Sequence, residues 1–253
     1  MPSAAKLKQY ASLRMPKYRQ KYGLFTVEGR KVVDEVIHSG AKLEAVMASE
    51  SYASKQALPE SCEIISDADM KRLSQFETAP GIMAVVIMPA AQTWQDRAPL
   101  TLAVDGLADP GNLGTLIRLA DWYGMTQVLA SEDTVDQYNP KCLAASMGSF
   151  LRVQVVYVNL AEALKNKRVF GAYLEGTSLY DAPFEAPSVL LIGSESHGIR
   201  MGEELENLHR FTIPRLGQAE SLNAAMAAGI SLDNAVRRLR ERGVAEFALP
   251  FNK

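Results

Sequence analysis

The sequence predicts an α/β protein built as two successive domains, a small one followed by a larger one with a mainly parallel sheet. Three observations predict it. The chain has 253 residues, room for two domains at roughly 150 residues each. Short apolar runs alternate with helical periodicities along its length. Between 89 and 99 that rhythm stops. Pro89-Ala90-Ala91-Gln92-Thr93-Trp94-Gln95-Asp96-Arg97-Ala98-Pro99 has no periodicity and is bracketed by prolines, as a linker would be. The expected division is 1–92 and 93–253.

Residues 3–22 read as a helix. They hold no glycine and one internal proline, Pro16, and Leu7, Tyr10, Leu13 and Arg14 fall at helical spacing beside a basic face. Gly23 closes the segment. Phe25–Gly29 is a short strand and turn. Residues 30–39 put Val32, Val33, Val36 and Ile37 on one helical face, ending near Gly40. Leu43–Met47 and Glu63–Ser66 read as strands, Asp67 as the N-cap of a helix through Leu73, and Gly81–Met88 as a buried strand. That β-α-β-β-α-β order makes one small α/β unit.

After the linker the pieces lengthen. Strands are expected at Leu100–Val104, Gln127–Ala130, Arg152–Val158, Val169–Leu174, Val189–Ile192 and Phe211–Ile213. Helices are expected at 112–123, at Asn139–Met147, from Ala161, and at 221–240. Strands alternating with helices imply a parallel sheet covered on both faces.

Composition bounds the function classes. Apolar residues make up 47% and charged residues 22%, which argues against disorder and coiled coil. Cys62 and Cys142 lie far apart and in no C-x-x-C, so neither a disulfide framework nor a cysteine zinc site is expected. No apolar stretch reaches the ~18 residues of a membrane span, and no apolar h-region follows the basic N-terminus. A cytoplasmic protein needing no metal is the expectation. The net charge of -2 gives no reason to expect a nucleic-acid partner, but it hides an asymmetry. Residues 1–31 hold eight Lys and Arg against one acid, a net of +7, leaving 19 basic and 28 acidic residues, a net of -9, in the rest. An anionic partner would require such a distribution, although a terminal helix with a solvated basic face would show it too.

In open α/β sheets ligands bind outside the carboxyl ends of the strands. Three loops of the second half are expected there, each with glycine beside polar residues. The first, Asp109-Pro110-Gly111-Asn112-Leu113-Gly114-Thr115-Leu116-Ile117-Arg118, follows a strand ending at Asp105. Asn112 is placed as the cap of the following helix, whose free amides suit an anion, and Arg118 lies inside that helix. The second, Gly193-Ser194-Glu195-Ser196-His197-Gly198, follows Val189-Leu190-Leu191-Ile192. Its adjacent Ser196 and His197 are not expected to face each other as a nucleophile pair, and the Gly-x-Ser-x-Gly order is absent. The third runs from Ile213 to Asn223. Ser221 is placed as the cap of the last helix, while Asn223 has no evident structural task and is free for a ligand.

Taken together, these loops resemble the SpoU family of RNA 2′-O-ribose methyltransferases, within the SPOUT superfamily. The resemblance rests on Asp109–Arg118, Leu191–Gly198 and Ile213–Asn223, in that order and spacing, and spans nearly all of 100–240. The first half more loosely resembles the ribosomal-protein-like substrate-binding domain often fused ahead of it. The resemblance implies an α/β trefoil-knot domain behind a small α/β RNA-binding domain. It also implies S-adenosylmethionine as cofactor, held against Gly193, Ser194, Ile213, Leu216, Leu222 and Asn223, and a homodimer formed through the catalytic domain. It implies that Arg118 binds the target phosphate or takes the hydroxyl proton, and that Asn112, Glu195, Ser221 and Asn223 orient ribose, arginine and cofactor. An arginine base is chemically awkward because its pKa exceeds about 12, so a phosphate anchor is the expected role. One position departs from the family pattern Gly-x-Glu-Gly-x-Gly: Ser196 replaces the second glycine. A positive φ there would strain it.

Three function classes follow: an RNA 2′-O-methyltransferase acting on ribosomal or transfer RNA, a catalytically inactive RNA-binding relative, and a nucleotide-dependent oxidoreductase. The intact polar positions speak against the second. The missing Gly-x-Gly-x-x-Gly speaks against the third.

Overall fold

A computed structural model of the chain describes residues 2–247. The first half forms a four-stranded sheet in the order β1-β4-β2-β3, from β1 (Leu24–Glu28), β2 (Leu43–Ser49), β3 (Cys62–Ile65) and β4 (Ile82–Ile87). Strand β4 pairs antiparallel with both β1 and β2, and β2 pairs parallel with β3. Alternation along β4 sorts its side chains. Ile82, Ala84 and Val86 join Phe25, Val27, Val33 and Val36 on one face. Met83 and Val85 join Leu7, Leu13, Met70 and Leu73 on the other. The helices supplying those faces are α1 (Ala4–Ser12), α2 (Pro16–Tyr22), α3 (Arg30–His38) and α5 (Asp67–Leu73), with a short α4 (Glu50–Ala53) that periodicity did not suggest.

The single helix expected over 3–22 is two. Pro16 cannot donate within a helix, and it sits instead at the first turn of α2, where no donor is needed. The cap of α5 is Ser66, one residue before the expected Asp67; its hydroxyl accepts from the Asp69 amide.

The second half is a six-stranded, wholly parallel sheet, ordered β10-β8-β9-β5-β6-β7. Its strands are β5 (Leu100–Asp105), β6 (Gln127–Ser131), β7 (Gln154–Val158), β8 (Val169–Ser178), β9 (Ser188–Gly193) and β10 (Leu208–Thr212). Its helices are α6 (Pro110–Trp122), α7 (Pro140–Ser146), α8 (Leu160–Leu164) and α9 (Ala224–Glu241). The central strands are apolar on both faces because both are covered. Leu100, Leu102 and Val104 face a cluster that includes α6 and α9 residues, while Ala103 faces another with Leu160, Leu164 and Leu205. The last strand begins at Leu208, earlier than the expected Phe211, and leaves Ile213 outside it.

The two halves are joined by more than a linker. Phe25 packs tilted against Tyr138 at 4.5 Å between ring centroids and meets Phe150 edge-on at 5.9 Å. Leu143 of α7 is buried in the first half's core. Arg19, only 1% exposed, donates from Nε (2.9 Å) and Nη2 (2.6 Å) to Asp136 and from Nη1 to the Leu13 and Arg14 carbonyls. Within the irregular segment 89–99, Trp94 packs on the second half, with Lys167 over its ring at 5.5 Å.

Candidate active site

Strands β5, β6 and β9 are parallel neighbours, so the loops at their carboxyl ends share one edge of the sheet. The first two motif loops lie there. The helix that opens the first motif is capped by Asp109, not by Asn112: the Asp109 carboxylate accepts from the Asn112 amide at 2.8 Å and Pro110 takes the first helical position. Asn112 thus keeps its side chain for other work. Its Nδ2 donates to Glu195 Oε1, and its Oδ1 accepts from Asn223 Nδ2 at 3.0 Å. One hydrogen-bonded chain, Glu195–Asn112–Asn223, therefore ties the three loops together, with one member from each.

Asn223 also has the structural task that the sequence did not reveal. It is the N-cap of α9, its Oδ1 accepting from the Ala225 (3.0 Å) and Met226 (3.3 Å) amides. Ser221, expected as that cap, is exposed and makes no hydrogen bond. The asparagine wins because its carbonyl reaches two amides while its Nδ2 remains free to cross to Asn112.

Glycine is forced at two positions. A Cβ on Gly193 would collide with the Gly198 carbonyl and the Ile199 amide nitrogen, because the loop folds back as a Ser194–Gly198 bridge with mutual backbone bonds of 3.2 and 2.9 Å. A Cβ on Gly114 would collide with the Cys142 carbonyl, so glycine lets α6 lie against α7. Ser196 does not take a positive φ, and the feared strain is absent. Ser196 Oγ and His197 Nδ1 lie 2.8 Å apart, against the expectation that neighbours would not face each other. Both are exposed and no acid holds the imidazole's far nitrogen, so the pair is no triad.

Arg118 is exposed on α6, and its side chain makes no hydrogen bond or ion pair. The structure does not join it to the Glu195–Asn112–Asn223 chain. It is a cation with its five donors free, unlike most arginines of this protein.

The third loop is unusual in what it leaves open. Residues 214–223 are all exposed, and no backbone N–H from Arg215 to Leu222 donates a hydrogen bond. Leu216 is fully exposed and Leu222 is 46% exposed, while Ile213 packs against the main core cluster. Unpaired backbone amides beside bare leucine side chains suit a flat heteroaromatic ring, apolar on its faces and polar at its edge. S-adenosylmethionine carries such a ring, and these residues fit it. Ser194 is buried, and its hydroxyl accepts from the His197 amide at 3.2 Å, fixing the second loop from within.

A second network supports the first, and sequence reasoning missed it. Asp105, wholly buried at the end of β5, accepts from Arg200 N at 2.7 Å and Nε at 3.0 Å. Arg200 Nη1 and Nη2 also reach Asp133 at 2.6 and 2.9 Å. One guanidinium thus holds the segment after Gly198 to the ends of β5 and β6. The same contact keeps the Asp133 carboxyl far below the usual carboxylate range and raises the arginine further. The available signal was an acid closing a mostly apolar buried strand, which must find a partner. Burial, helped by nearby acids, pushes both cysteine thiols upward, so neither is an activated nucleophile.

Residues 99–233 match the family model of the SpoU rRNA Methylase family, and 4–84 match the MRM3-like substrate binding domain. The 23S rRNA (guanosine(2553)-2′-O)-methyltransferase RlmP of Bacillus subtilis is 31% identical over 233 residues, 89% of this chain and 93% of that protein. A TrmH-family structure from Porphyromonas gingivalis superposes with a TM-score of 0.80 at 35% identity, covering 94% of this chain and 99% of the other. An AdoMet-bound rRNA methyltransferase from Sinorhizobium meliloti gives 0.80 at 25% identity, covering 94% and 97%. Fold and site thus define an α/β methyltransferase of SPOUT type behind a smaller α/β domain. More narrowly, the chain belongs to the SpoU rRNA Methylase family.

Proposed function

We propose that this protein methylates a ribose 2′-hydroxyl in structured RNA, ribosomal RNA in preference to transfer RNA, using S-adenosylmethionine. The observation that carries the reading is the Glu195–Asn112–Asn223 chain, which ties the three motif loops to one another. Bound S-adenosylmethionine supplies an electrophilic methyl on a sulfonium centre, so the protein's task is to present a ribose oxygen in line. Positioning of that kind is worth roughly 7–11 kcal/mol.

The residue roles follow from chemistry. Gly193, Ser194, Ile213, Leu216, Leu222 and Asn223 hold the cofactor, with backbone groups reading its polar edge. Asn112 and Glu195 orient the ribose. Arg118, free of partners, anchors the target phosphate through its planar fork. Ser221 stands beside Leu222 with an unspent hydroxyl, available to the same ligands.

The division into an RNA-binding part, 1–92, and a catalytic part, 93–253, belongs to this reading. So does a homodimer through the catalytic half. Trp122 (84% exposed), Met226 (60%) and Ile230 lie on neighbouring parts of α6 and α9, whose contact is marked by the Tyr123–Asp233 hydrogen bond of 2.8 Å. Bare apolar side chains grouped in this way favour a partner surface. Among the described residues no helix is long and apolar enough to cross a membrane, and we place the enzyme in the cytoplasm with its RNA.

The test is transfer of labelled methyl from S-adenosylmethionine to total RNA by the purified protein and by Arg118→Ala. Alkali-resistant label from the first and not the second supports the reading. Cofactor binding without transfer to any RNA would favour an inactive relative.

A further inference from the structure

The basic N-terminal segment is less free than its composition suggests. Lys6 pairs with Glu44, Arg30 with Asp34 at 2.5 Å, and Arg19 with Asp136. Arg14 spends its guanidinium on the Arg72 and Ser74 carbonyls at 2.5 and 2.6 Å. Elsewhere the basic residues of 165–168 and 237–242 are largely bound too: Lys167 to Asp96, Arg168 and Arg242 to Glu185, Arg237 and Arg238 to Glu241. Against that background α2 stands out. Lys17 and Lys21 have no acidic partner and are one helical turn apart.

They alternate with Tyr18 and Tyr22, which are also one turn apart. The two rings are stacked, 6.2 Å between centroids and 12° from parallel. Lys17 Nζ lies 4.9 Å from the Tyr18 centroid and Lys21 Nζ 5.4 Å from that of Tyr22. Tyr22 is 37% exposed, and Met15, just before the helix, is half exposed. Two near-parallel aromatic rings, each with an ammonium group over it that can move aside, are what a nucleotide chain requires. The rings take bases by stacking, and the ammonium groups swing to the phosphates. Unpaired rather than duplex RNA fits, because only splayed bases expose their faces.

The placement is as telling as the chemistry. Arg19, on the opposite side of the same helix, is bolted to Asp136 in the loop after β6. That loop lies at the carboxyl edge of the parallel sheet, and its Asp133 takes Arg200 from the segment after Gly198. The helix is therefore fixed to the edge that carries the motif loops.

We infer that Tyr18, Tyr22, Lys17 and Lys21 form a platform that stacks unpaired nucleotides of the RNA substrate beside the methylation site. The inference rests on the methyltransferase reading for its substrate class, and the test separates the two. Binding of a fluorescent single-stranded oligoadenylate is measured against a duplex RNA of the same length, with the full chain. Stacking onto an aromatic ring is typically worth about fivefold or more per base, so Tyr18→Ala/Tyr22→Ala, which removes two rings, should weaken oligoadenylate binding at least ~tenfold. Tyr18→Phe/Tyr22→Phe should restore it, since the rings remain. Lys17→Gln/Lys21→Gln should lower the slope of log affinity against log salt by about 1.4, or ~0.7 per charge on a single strand. In the tyrosine variants, duplex affinity, S-adenosylmethionine binding by calorimetry and melting temperature should stay as in the parent. Oligoadenylate binding unchanged in Tyr18→Ala/Tyr22→Ala overturns the platform while leaving the methyltransferase intact. So does a defect seen only on RNA carrying ribosomal proteins, which would make the partner a protein. If the parent transfers no methyl to any RNA, the function fails, yet the binding comparison still decides the platform.

Discussion

Asn223 donates from Nδ2 to Asn112 Oδ1 at 3.0 Å, joining the start of α9 to the start of α6. The two residues are 111 positions apart in sequence. Their bond means that the cap of α9 and the motif loops share one side chain. Asn223→Asp keeps a good cap but replaces the crossing donor with an acceptor. Its melting temperature should stay near the parent's while kcat/KM falls roughly tenfold, the value of about 1.4 kcal/mol for one hydrogen bond. Asn223→Ala loses both, and should cost a further 0.5–2 kcal/mol, approximately, in denaturant unfolding. Equal activity of parent and Asn223→Asp would detach the cap from the site.

Gly193→Ala forces a methyl group into the Gly198 carbonyl. Because the obstacle is backbone, the loop must open. About 1–3 kcal/mol of stability should be lost, together with calorimetric binding of S-adenosylmethionine. Gly217→Ala is the control for stability, since a Cβ there meets nothing; its melting temperature should match the parent's.

Arg200→Gln removes the clasp and leaves Asp105 buried without its charged partner. Hydrogen bonds to charged groups are worth about 1.5–3 kcal/mol, and a loss in that range is expected on unfolding. Asp133→Asn tests the outer half of the clasp. Asp133 is largely exposed and its folded-state pKa is depressed, so its contribution is small, below ~1 kcal/mol. That contribution is present above the ordinary carboxylate pKa of about 4 and is lost as pH falls towards the depressed value. Parent and variant melting temperatures should differ at pH 7 and converge below about pH 4. A constant difference down to pH 3 would remove the ion pair as its cause.

Met226→Glu puts a charge on the bare face of α9. Light scattering should show a dimer for the parent and a monomer for the variant, with methyl transfer lost if the site is completed by a second copy. A parent that is monomeric at micromolar concentration contradicts the proposed dimer.

Much of this was legible in the sequence, for physical reasons. Unbroken apolar residues at Ile82–Val86 and a nearly unbroken run at Leu100–Val104 are what a strand covered on both faces must have, so the two sheets were visible. The motif loops were visible because glycine at Gly193 and Gly114 is sterically forced. Helix starts were misread where several cappers crowd together. Asp109 and Asn112, Ser66 and Asp67, and Ser221 and Asn223 each offer two plausible oxygens, and only three-dimensional reach decides between them. The clasp of Arg200 on Asp105 and Asp133 spans separations of 95 and 67 residues, which no local pattern encodes. The net charge of 1–31 was read correctly as a sum but not as a surface, because pairing with Glu44, Asp34 and Asp136 consumes much of it.

Ribose methylation by this protein should depend on Arg118. It is tested most directly by mapping 2′-O-methyl groups at nucleotide resolution in RNA from cells lacking this protein, complemented with the parent chain or with Arg118→Ala. One ribosomal RNA position should lose its methyl group in the deletion, regain it with the parent and stay unmodified with the variant. In vitro, kcat/KM for Arg118→Ala should be at least ~10²-fold below the parent's, as loss of substrate positioning produces. An unchanged methylation map, or full restoration by Arg118→Ala, would overturn the role given to Arg118.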